Sequence, residues 1–180
     1  RHSFSNSFTR PLTEWLDMTT YKAITESKSI KARLGEAQKE KTVEFFKVNT
    51  SEGIEMDGWM VKPNNFDPSK KYPVVFYVYT EPWGAEVHDA YGVADNGLYS
   101  GSMREDGYIY ICMDNRGTPA PKGRSWRKSI YRKVGVINIR DQALAAKEIL
   151  KWPYVDQERI AVWGWSGGGT ATLNLMFQHP

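Results

Sequence analysis

Cysteine is almost absent from this chain of 180 residues, in which Cys112 is the single occurrence. One thiol excludes an internal disulfide framework and a Cys-x-x-Cys metal or redox site. No apolar run approaches the ~20 residues that a membrane-spanning helix needs, so no such segment is predicted. An excess of one charge is also missing, because 24 basic residues face 21 acidic ones for a net charge of +3. This balance argues against a nucleic-acid or membrane-surface partner.

Aromatic residues, by contrast, are abundant, with 7 Trp, 10 Tyr and 7 Phe. Together with 41% apolar residues they exclude a disordered chain and predict a globular one. One group of basic residues is interleaved with Trp126 and Tyr131. We interpret it as a solvated loop and helix rather than a nucleic-acid site, because the overall charge is near balance. Its members are Lys122, Arg124, Arg127, Lys128, Arg132 and Lys133.

The first third of the chain has the pattern of short strands and turns. Residues 1–40 carry small apolar patches in a polar background, which predict weak strands followed by a charged connector at Glu36–Lys41. Asp17–Thr20 lies between two of these patches and has turn chemistry. Two longer apolar stretches flank the turn residues Asn49–Gly53, so a β-hairpin is predicted over Thr42–Lys62.

Continuous apolar runs, rather than alternating ones, mark the following strands. They are Pro73–Tyr79, Tyr108–Met113 and Ile160–Trp163. Such runs are typical of strands buried on both faces of a parallel sheet that helices cover. Between the last two runs, Val136–Trp152 has apolar residues at helical spacing. This alternation of strand and helix predicts the α/β class with a doubly wound sheet.

A Gly-x-Ser-x-Gly motif follows the last of these runs, with Gly164, Ser166 and Gly168 in the required positions. The motif predicts a sharp turn that lifts the serine hydroxyl above the sheet and whose crowding demands neighbours without a Cβ. Thr170–Gln178 is predicted as the following helix, whose free N–H groups would face a developing oxyanion. A phosphate-binding turn is the alternative, but its Gly-x-Gly-x-x-Gly or Gly-Lys-Ser/Thr anchors do not coincide with this motif. Ser166 is therefore predicted to be a nucleophile.

The elbow Gly164–Gly169 resembles that of the prolyl oligopeptidase family of serine peptidases, especially its dipeptidyl peptidase IV branch. Four further segments resemble the family in its own order, and ordered motifs are more specific than one pentapeptide. They are Phe66–Pro82, Asp114–Thr118, Asp141–Gln142 and Trp152–Ala161. The resemblance implies a partial α/β-hydrolase fold, the truncated N-terminal part of its sheet, at residues 41–180. It also implies that residues 1–40 are a remnant of a β-propeller with its linker.

The same resemblance implies two groups that bind the oxyanion. They are the hydroxyl of Tyr79, just after an early buried strand, and the N–H of Gly167, which follows the nucleophile Ser166. A phenol and an amide N–H are suitable donors to a tetrahedral anion. The chain departs from the family at Gly167, where many dipeptidyl peptidases have Tyr. The N–H donor is retained but a side chain that shapes the pocket is absent, so strict post-proline specificity is not expected.

A serine peptidase also needs an acid and a base, which follow the serine in α/β-hydrolases. No Asp or Glu follows Ser166, and His179 would lie about 20 Å away at the far end of the same helix. His2 and His88 are predicted in or near loops, and Asp141 precedes the serine. The sequence therefore predicts half of a catalytic site, with the Asp and His beyond residue 180. The 180-residue chain alone is predicted to have no peptidase activity.

The function predicted for the longer protein is that of a serine peptidase that removes short units from the N-terminus of peptides. Two alternatives remain open. One is an acylaminoacyl peptidase or esterase of the same fold, and the other is a non-catalytic hydrolase-like binding module. The predicted partner is a peptide substrate, and a homodimer of the longer protein fits the resemblance. No metal or organic cofactor is implied.

Overall fold

A computed structural model describes residues 1–24 and 42–180, which form two compact units. The units comprise residues 1–43 with 88–95, and residues 44–87 with 96–180. The predicted connector Glu36–Lys41 lies outside the described residues, as does the predicted domain boundary at residue 40.

The first unit contains a two-stranded antiparallel sheet. Its strands are β1 (His2–Asn6) and β2 (Thr9–Glu14). The turn predicted after β2 is present, because the Asp17 carboxylate accepts the backbone N–H groups of Thr19 and Thr20, both at 2.8 Å. An aspartate that accepts N–H groups two and three residues ahead forms an Asx-type turn. The short strands and this turn were therefore correctly predicted from local sequence.

Five strands form a mixed sheet in the order β3-β4-β6-β5-β7. Strand β5 is parallel to both of its neighbours, β6 and β7, whereas β4 is antiparallel to β6. The parallel arrangement predicted for these three strands is therefore correct, and β4 of the predicted hairpin extends the sheet in antiparallel fashion. The strands are β3 (Val43–Asn49), β4 (Glu55–Val61), β5 (Tyr72–Tyr77), β6 (Ile109–Asp114) and β7 (Val155–Trp163).

The predicted hairpin is formed by β3 and β4, which are neighbours in this sheet. Its turn is closed by the N–H of Thr50, which donates to the Ile54 carbonyl oxygen at 2.9 Å. Gly53 in the turn has φ +74°, a conformation that glycine adopts without strain.

Helices cover the sheet and lead into the predicted elbow. They are α1 (Gly123–Lys128), α2 (Ile137–Ile149) and α3 (Gly167–Gln178). Helix α2 lies within the predicted range, and its Ile139, Ala145 and Ile149 are buried. Helix α3 begins at Gly167, directly after Ser166 and three residues before the predicted Thr170. Among the described residues, no helix is both long enough and apolar enough to cross a membrane.

Strand β6 lies at the centre of the core, with all of its side chains buried. Ile109 and Ile111 face one side and belong to the same cluster as the α2 residue Ile149. Tyr110 faces the other side, where Trp59 packs edge-on against it at 5.3 Å between ring centroids. Burial of each such side chain contributes about 1.5–3 kcal/mol. Cys112 is fully buried in this strand, as expected for a residue of the predicted buried run Tyr108–Met113.

Strand β7 differs from its prediction. Ile160–Trp163 is a strand, but it is not buried on both faces, and Ile160 is 43% exposed. The reason is its position at the end of the strand order, where it pairs with β5 on one side among the described residues. Apolar side chains of α3, including Leu173 and Phe177, are exposed as well.

Candidate active site

Ser166 lies in the turn between β7 and α3 and adopts φ 55°, ψ −116°. This backbone conformation is rare for a residue with a Cβ and costs about 1–3 kcal/mol. Strain of this kind persists only where the surrounding structure imposes it, and it is concentrated at functional sites. Ser166 is exposed, so a reactant can reach its hydroxyl.

The glycines of the elbow allow it to pack against the chain that follows β5. A Cβ added to Gly164 or to Gly168 would overlap the carbonyl oxygen of Val78. The obstacle is a backbone atom, which cannot rotate away as a side chain does. The requirement for neighbours without a Cβ, predicted from the motif, therefore has a specific cause in the contact with Val78.

The first turn of α3 contains one amide N–H that no described residue satisfies. The N–H groups of Gly168 and Gly169 donate to the carbonyl oxygens of Trp165 and Ser166 at 2.8 and 2.9 Å. The N–H of Gly167 has no hydrogen-bond partner among residues 1–24 and 42–180. An unpaired N–H at a helix N-terminus is a ready donor for an anion, and the helix dipole adds to its attraction.

Tyr79 follows β5 and is held by the loop that comes after it. The indole Nε1–H of Trp83 donates to the Tyr79 hydroxyl oxygen at 3.3 Å. Gly84 lies directly against the Tyr79 ring, where a Cβ would be 2.7 Å from a ring carbon. The phenol therefore receives one hydrogen bond and keeps its own O–H free to donate.

Thr80 is the second strained residue of this region, with φ +69° at a buried, β-branched side chain. Left-handed backbone is unusual for such a residue. Its hydroxyl oxygen accepts a hydrogen bond from the Asn138 side-chain amide at 3.1 Å. Asn138 is itself fixed, since its carbonyl oxygen accepts the N–H of Gly135 at 2.7 Å. This buried contact ties the chain after β5 to the start of α2.

The Glu81 carboxylate occupies the space beside Gly167, and sequence reasoning missed it. A Cβ on Gly167 would overlap this carboxylate. Partial burial raises the pKa of Glu81, and no hydrogen bond or ion pair from the described residues compensates for the lost solvation. The one sequence signal was the absence of a side chain at position 167, which leaves room that another residue can fill.

Asp141 is a structural residue rather than a candidate catalytic acid. It is fully buried and forms an ion pair with Arg116 at 2.7 Å. It also accepts the backbone N–H of Arg116 at 3.0 Å. The adjacent Gln142 donates to the Met113 carbonyl oxygen at 2.8 Å. These hydrogen bonds connect α2 to the end of β6, so the Asp-Gln pair in this chain serves to join helix and sheet.

No histidine is positioned to act as a base for Ser166 within its own unit. His179 is the sole histidine of the second unit, and it caps the C-terminal end of α3, about 18 Å along the helix from the serine. His2 and His88 belong to the first unit. The structure thus brings Ser166, Gly167 and the segment from Tyr79 together without a base.

No cluster of three or more potential metal-binding His, Cys, Asp or Glu side chains occurs in residues 1–24 and 42–180.

Of the basic residues that the sequence singled out, Lys122 is neutralised within the fold. Lys122 forms ion pairs with Asp57 at 3.1 Å and with Glu55 at 3.7 Å. Its ammonium also lies 5.2 Å from the centroid of the Trp126 ring. A lysine with these partners is not free for a phosphate backbone, which supports the interpretation of the cluster as ordinary protein surface.

A strained, exposed serine between a parallel strand and a helix, on a mixed sheet, defines the class of α/β-hydrolases. Comparison with known proteins narrows this class. Residues 98–180 match the model of the prolyl oligopeptidase family. Dipeptidyl peptidase 4 of Trichophyton equinum is 38% identical over 155 residues, which are 86% of this chain. Residues 98–180 are therefore a segment of the prolyl oligopeptidase family, and the chain as a whole is similar to dipeptidyl peptidase 4.

Solved structures agree in fold. The crystal structure of Porphyromonas gingivalis dipeptidyl peptidase 4 is 34% identical, with a TM-score of 0.78 over 96% of this chain. Acylaminoacyl peptidase of Pyrococcus horikoshii has a TM-score of 0.69 at 22% identity, which shows the shared fold. The chain spans 20% of the length of the Trichophyton protein and 24% of the Porphyromonas chain.

Proposed function

We propose that this chain supplies the nucleophile and oxyanion-binding groups of a serine peptidase that releases dipeptides from the N-terminus of peptides. The observation that carries the proposal is the strained, exposed backbone of Ser166 directly before the unpaired N–H of Gly167. The dipeptidyl peptidase 4 names of the similar proteins supply the substrate class. Because the chain covers a small part of those proteins, the activity belongs to the full-length protein.

The proposed mechanism begins with attack of the Ser166 Oγ on the scissile carbonyl carbon. A histidine accepts the serine proton and later delivers it to the leaving amine, and an aspartate orients that histidine. Both are proposed to lie beyond residue 180. The carbonyl oxygen becomes an anion, which accepts hydrogen bonds from the Gly167 N–H and the Tyr79 O–H. Removing one such donor typically costs about 100- to 1000-fold in rate. Water, which gives a proton to the same histidine, then attacks the acyl carbon; the bond to the Ser166 Oγ breaks, the proton returns to that oxygen and the dipeptide leaves as a carboxylic acid.

Two features support Tyr79 as the second donor. Its hydroxyl accepts from Trp83, which leaves its own proton available, and its backbone lies against the elbow, where a Cβ on Gly168 would be 3.2 Å from the Tyr79 Cα. A phenol fixed before the reaction stabilises the anion without reorganisation.

The proposal also includes a peptide substrate as partner and a homodimer of the full-length protein. Sedimentation velocity would measure the oligomeric state.

Labelling of the full-length protein with a fluorophosphonate tests the nucleophile directly. The serine oxygen displaces fluoride from phosphorus, so labelling requires an activated hydroxyl but no particular peptide. We expect the wild-type protein to be labelled at Ser166 and the Ser166→Ala variant not to be labelled. A dipeptidyl-p-nitroanilide and an acetylated amino-acid p-nitroanilide then distinguish dipeptide release from acylaminoacyl release. Absence of labelling in the folded wild-type protein would instead favour a non-catalytic binding module.

A further inference from the structure

The Glu81 carboxylate lies beside the proposed oxyanion site. Its negative charge would oppose the formation of a second negative charge on the carbonyl oxygen. The Glu81 carboxylate lies against Gly167. Gly167 is also the residue whose N–H is proposed to bind the oxyanion. Two like charges within a few ångströms of each other in a partly desolvated site repel strongly. A positive charge of the substrate beside this carboxylate would therefore relieve the repulsion.

The described residues do not provide that positive charge. Glu81 has no ion pair and no side-chain hydrogen bond with them, and the only influence on its carboxyl group is partial burial. The carboxylate is not used as a cap for α3 either, because no hydrogen bond joins it to the first amides of that helix. The charge is thus left free to face whatever occupies the site.

The chain around Glu81 fixes its backbone. The preceding Thr80 is buried and fixed by Asn138 at 3.1 Å, and the following Pro82 restricts the backbone. The carbonyl oxygen of Glu81 accepts the N–H of Gly84 at 3.4 Å, which closes a turn. A fixed backbone limits the positions that the carboxylate can take before substrate arrives, which favours selective recognition.

We propose that Glu81 determines specificity by binding a cationic side chain of the substrate residue whose carbonyl Ser166 attacks. That carbonyl lies over the Gly167 N–H in the proposed mechanism, so the side chain beside it is within reach of the Glu81 carboxylate. Lysine and arginine side chains supply the missing positive charge, whereas acidic side chains are repelled. This inference rests on the proposed peptidase function and adds the substrate preference of the same site.

Matched substrates test the proposal in the full-length protein. The pair consists of a dipeptidyl-p-nitroanilide with lysine next to the scissile bond and the same compound with norleucine, an uncharged residue of similar length. We expect wild-type kcat/KM to favour lysine by about tenfold or more, the scale of one charge-assisted hydrogen bond. The Glu81→Gln variant keeps the shape of the side chain and should abolish this preference, mainly by lowering activity on the lysine substrate.

Two further variants separate this role from a structural one. Gly167→Ala retains the N–H but displaces the carboxylate, so it should also reduce the lysine preference. Glu105→Gln removes an exposed charge before β6, at the opposite edge of the parallel strands, and should leave the preference unchanged.

The outcomes are distinct. If fluorophosphonate labels Ser166 but lysine and norleucine substrates react equally in the wild type, or retain their ratio in Glu81→Gln, the inference about Glu81 is wrong and the peptidase proposal stands. If Glu81→Gln raises activity on the lysine and norleucine substrates by the same factor, Glu81 acts only through repulsion of the oxyanion, and the specificity role is overturned. If no labelling occurs, both proposals fail together.

Discussion

A methyl group added at Gly168 tests how closely the elbow must approach the end of β5. The new Cβ would overlap the Val78 carbonyl oxygen and would lie 3.1 Å from the Val78 carbonyl carbon. Carbon atoms in contact prefer separations of about 3.5–4.0 Å, so the elbow would have to move by roughly 1 Å. A displacement of this size can cost about 100-fold in rate, and overpacking adds about 1–3 kcal/mol of destabilisation.

Gly169→Ala is the matched control, because it adds the same methyl group one residue later. Its Cβ would meet the Gly164 carbonyl oxygen at 3.5 Å, an ordinary contact. Alanine in place of glycine inside a helix is expected to stabilise it by about 0.5–1 kcal/mol. The assay is the rate of fluorophosphonate labelling of Ser166 in the full-length protein, with circular dichroism to show that each variant is folded.

We expect Gly168→Ala to be labelled about 100-fold more slowly than the wild type and Gly169→Ala to be labelled at the wild-type rate. If folded Gly168→Ala reacts as fast as the wild type, the contact with Val78 does not position the nucleophile. Equal slowing of both variants would mean that any methyl group in the first turn of α3 disturbs the site. Either result would refute the reasoning from the backbone contact.

Three further predictions concern other parts of the second unit. Tyr79→Phe should lower kcat by about 100-fold or more with little change in KM, because the phenol is proposed to act on the transition state, and steady-state kinetics would measure this. Asp141→Ala should destabilise the fold by about 3 kcal/mol, seen as a lower thermal unfolding midpoint, since it leaves Arg116 without its buried partner. Cys112 should not react with Ellman's reagent until the protein is denatured, because burial removes access and raises the pKa of its thiol.

The elbow could be predicted from the sequence because its requirements are local. A serine held at φ 55° between a strand and a helix needs glycines on both sides, and those glycines are visible in the motif. Strands β5 and β6 could be predicted equally well, since a continuous apolar run indicates burial on both faces. The ends of the helices were less certain, as the early start of α3 shows.

Non-local features could not be predicted. Ile160–Trp163 has the same apolar character as Tyr108–Met113, yet one strand lies at the end of the sheet order and the other at its centre. The apolar composition of a strand shows that it can be buried. Whether it is buried depends on the elements that pack beside it in the sheet. Glu81 was missed for a similar reason, since its contact with Gly167 depends on two segments that are distant in the chain.

Strain on both sides of the proposed oxyanion site gives a physical reason for the buried polar contacts around it. Thr80 and Ser166 both adopt positive φ, at a cost of about 1–3 kcal/mol each. The hydrogen bond from Asn138 holds Thr80, and the contact of the elbow glycines with Val78 constrains Ser166. Donors that are fixed before charge develops stabilise an anion most effectively, because no energy is spent on orienting them during the reaction. The strained backbone is therefore best understood as the means by which the fold keeps both proposed donors in position.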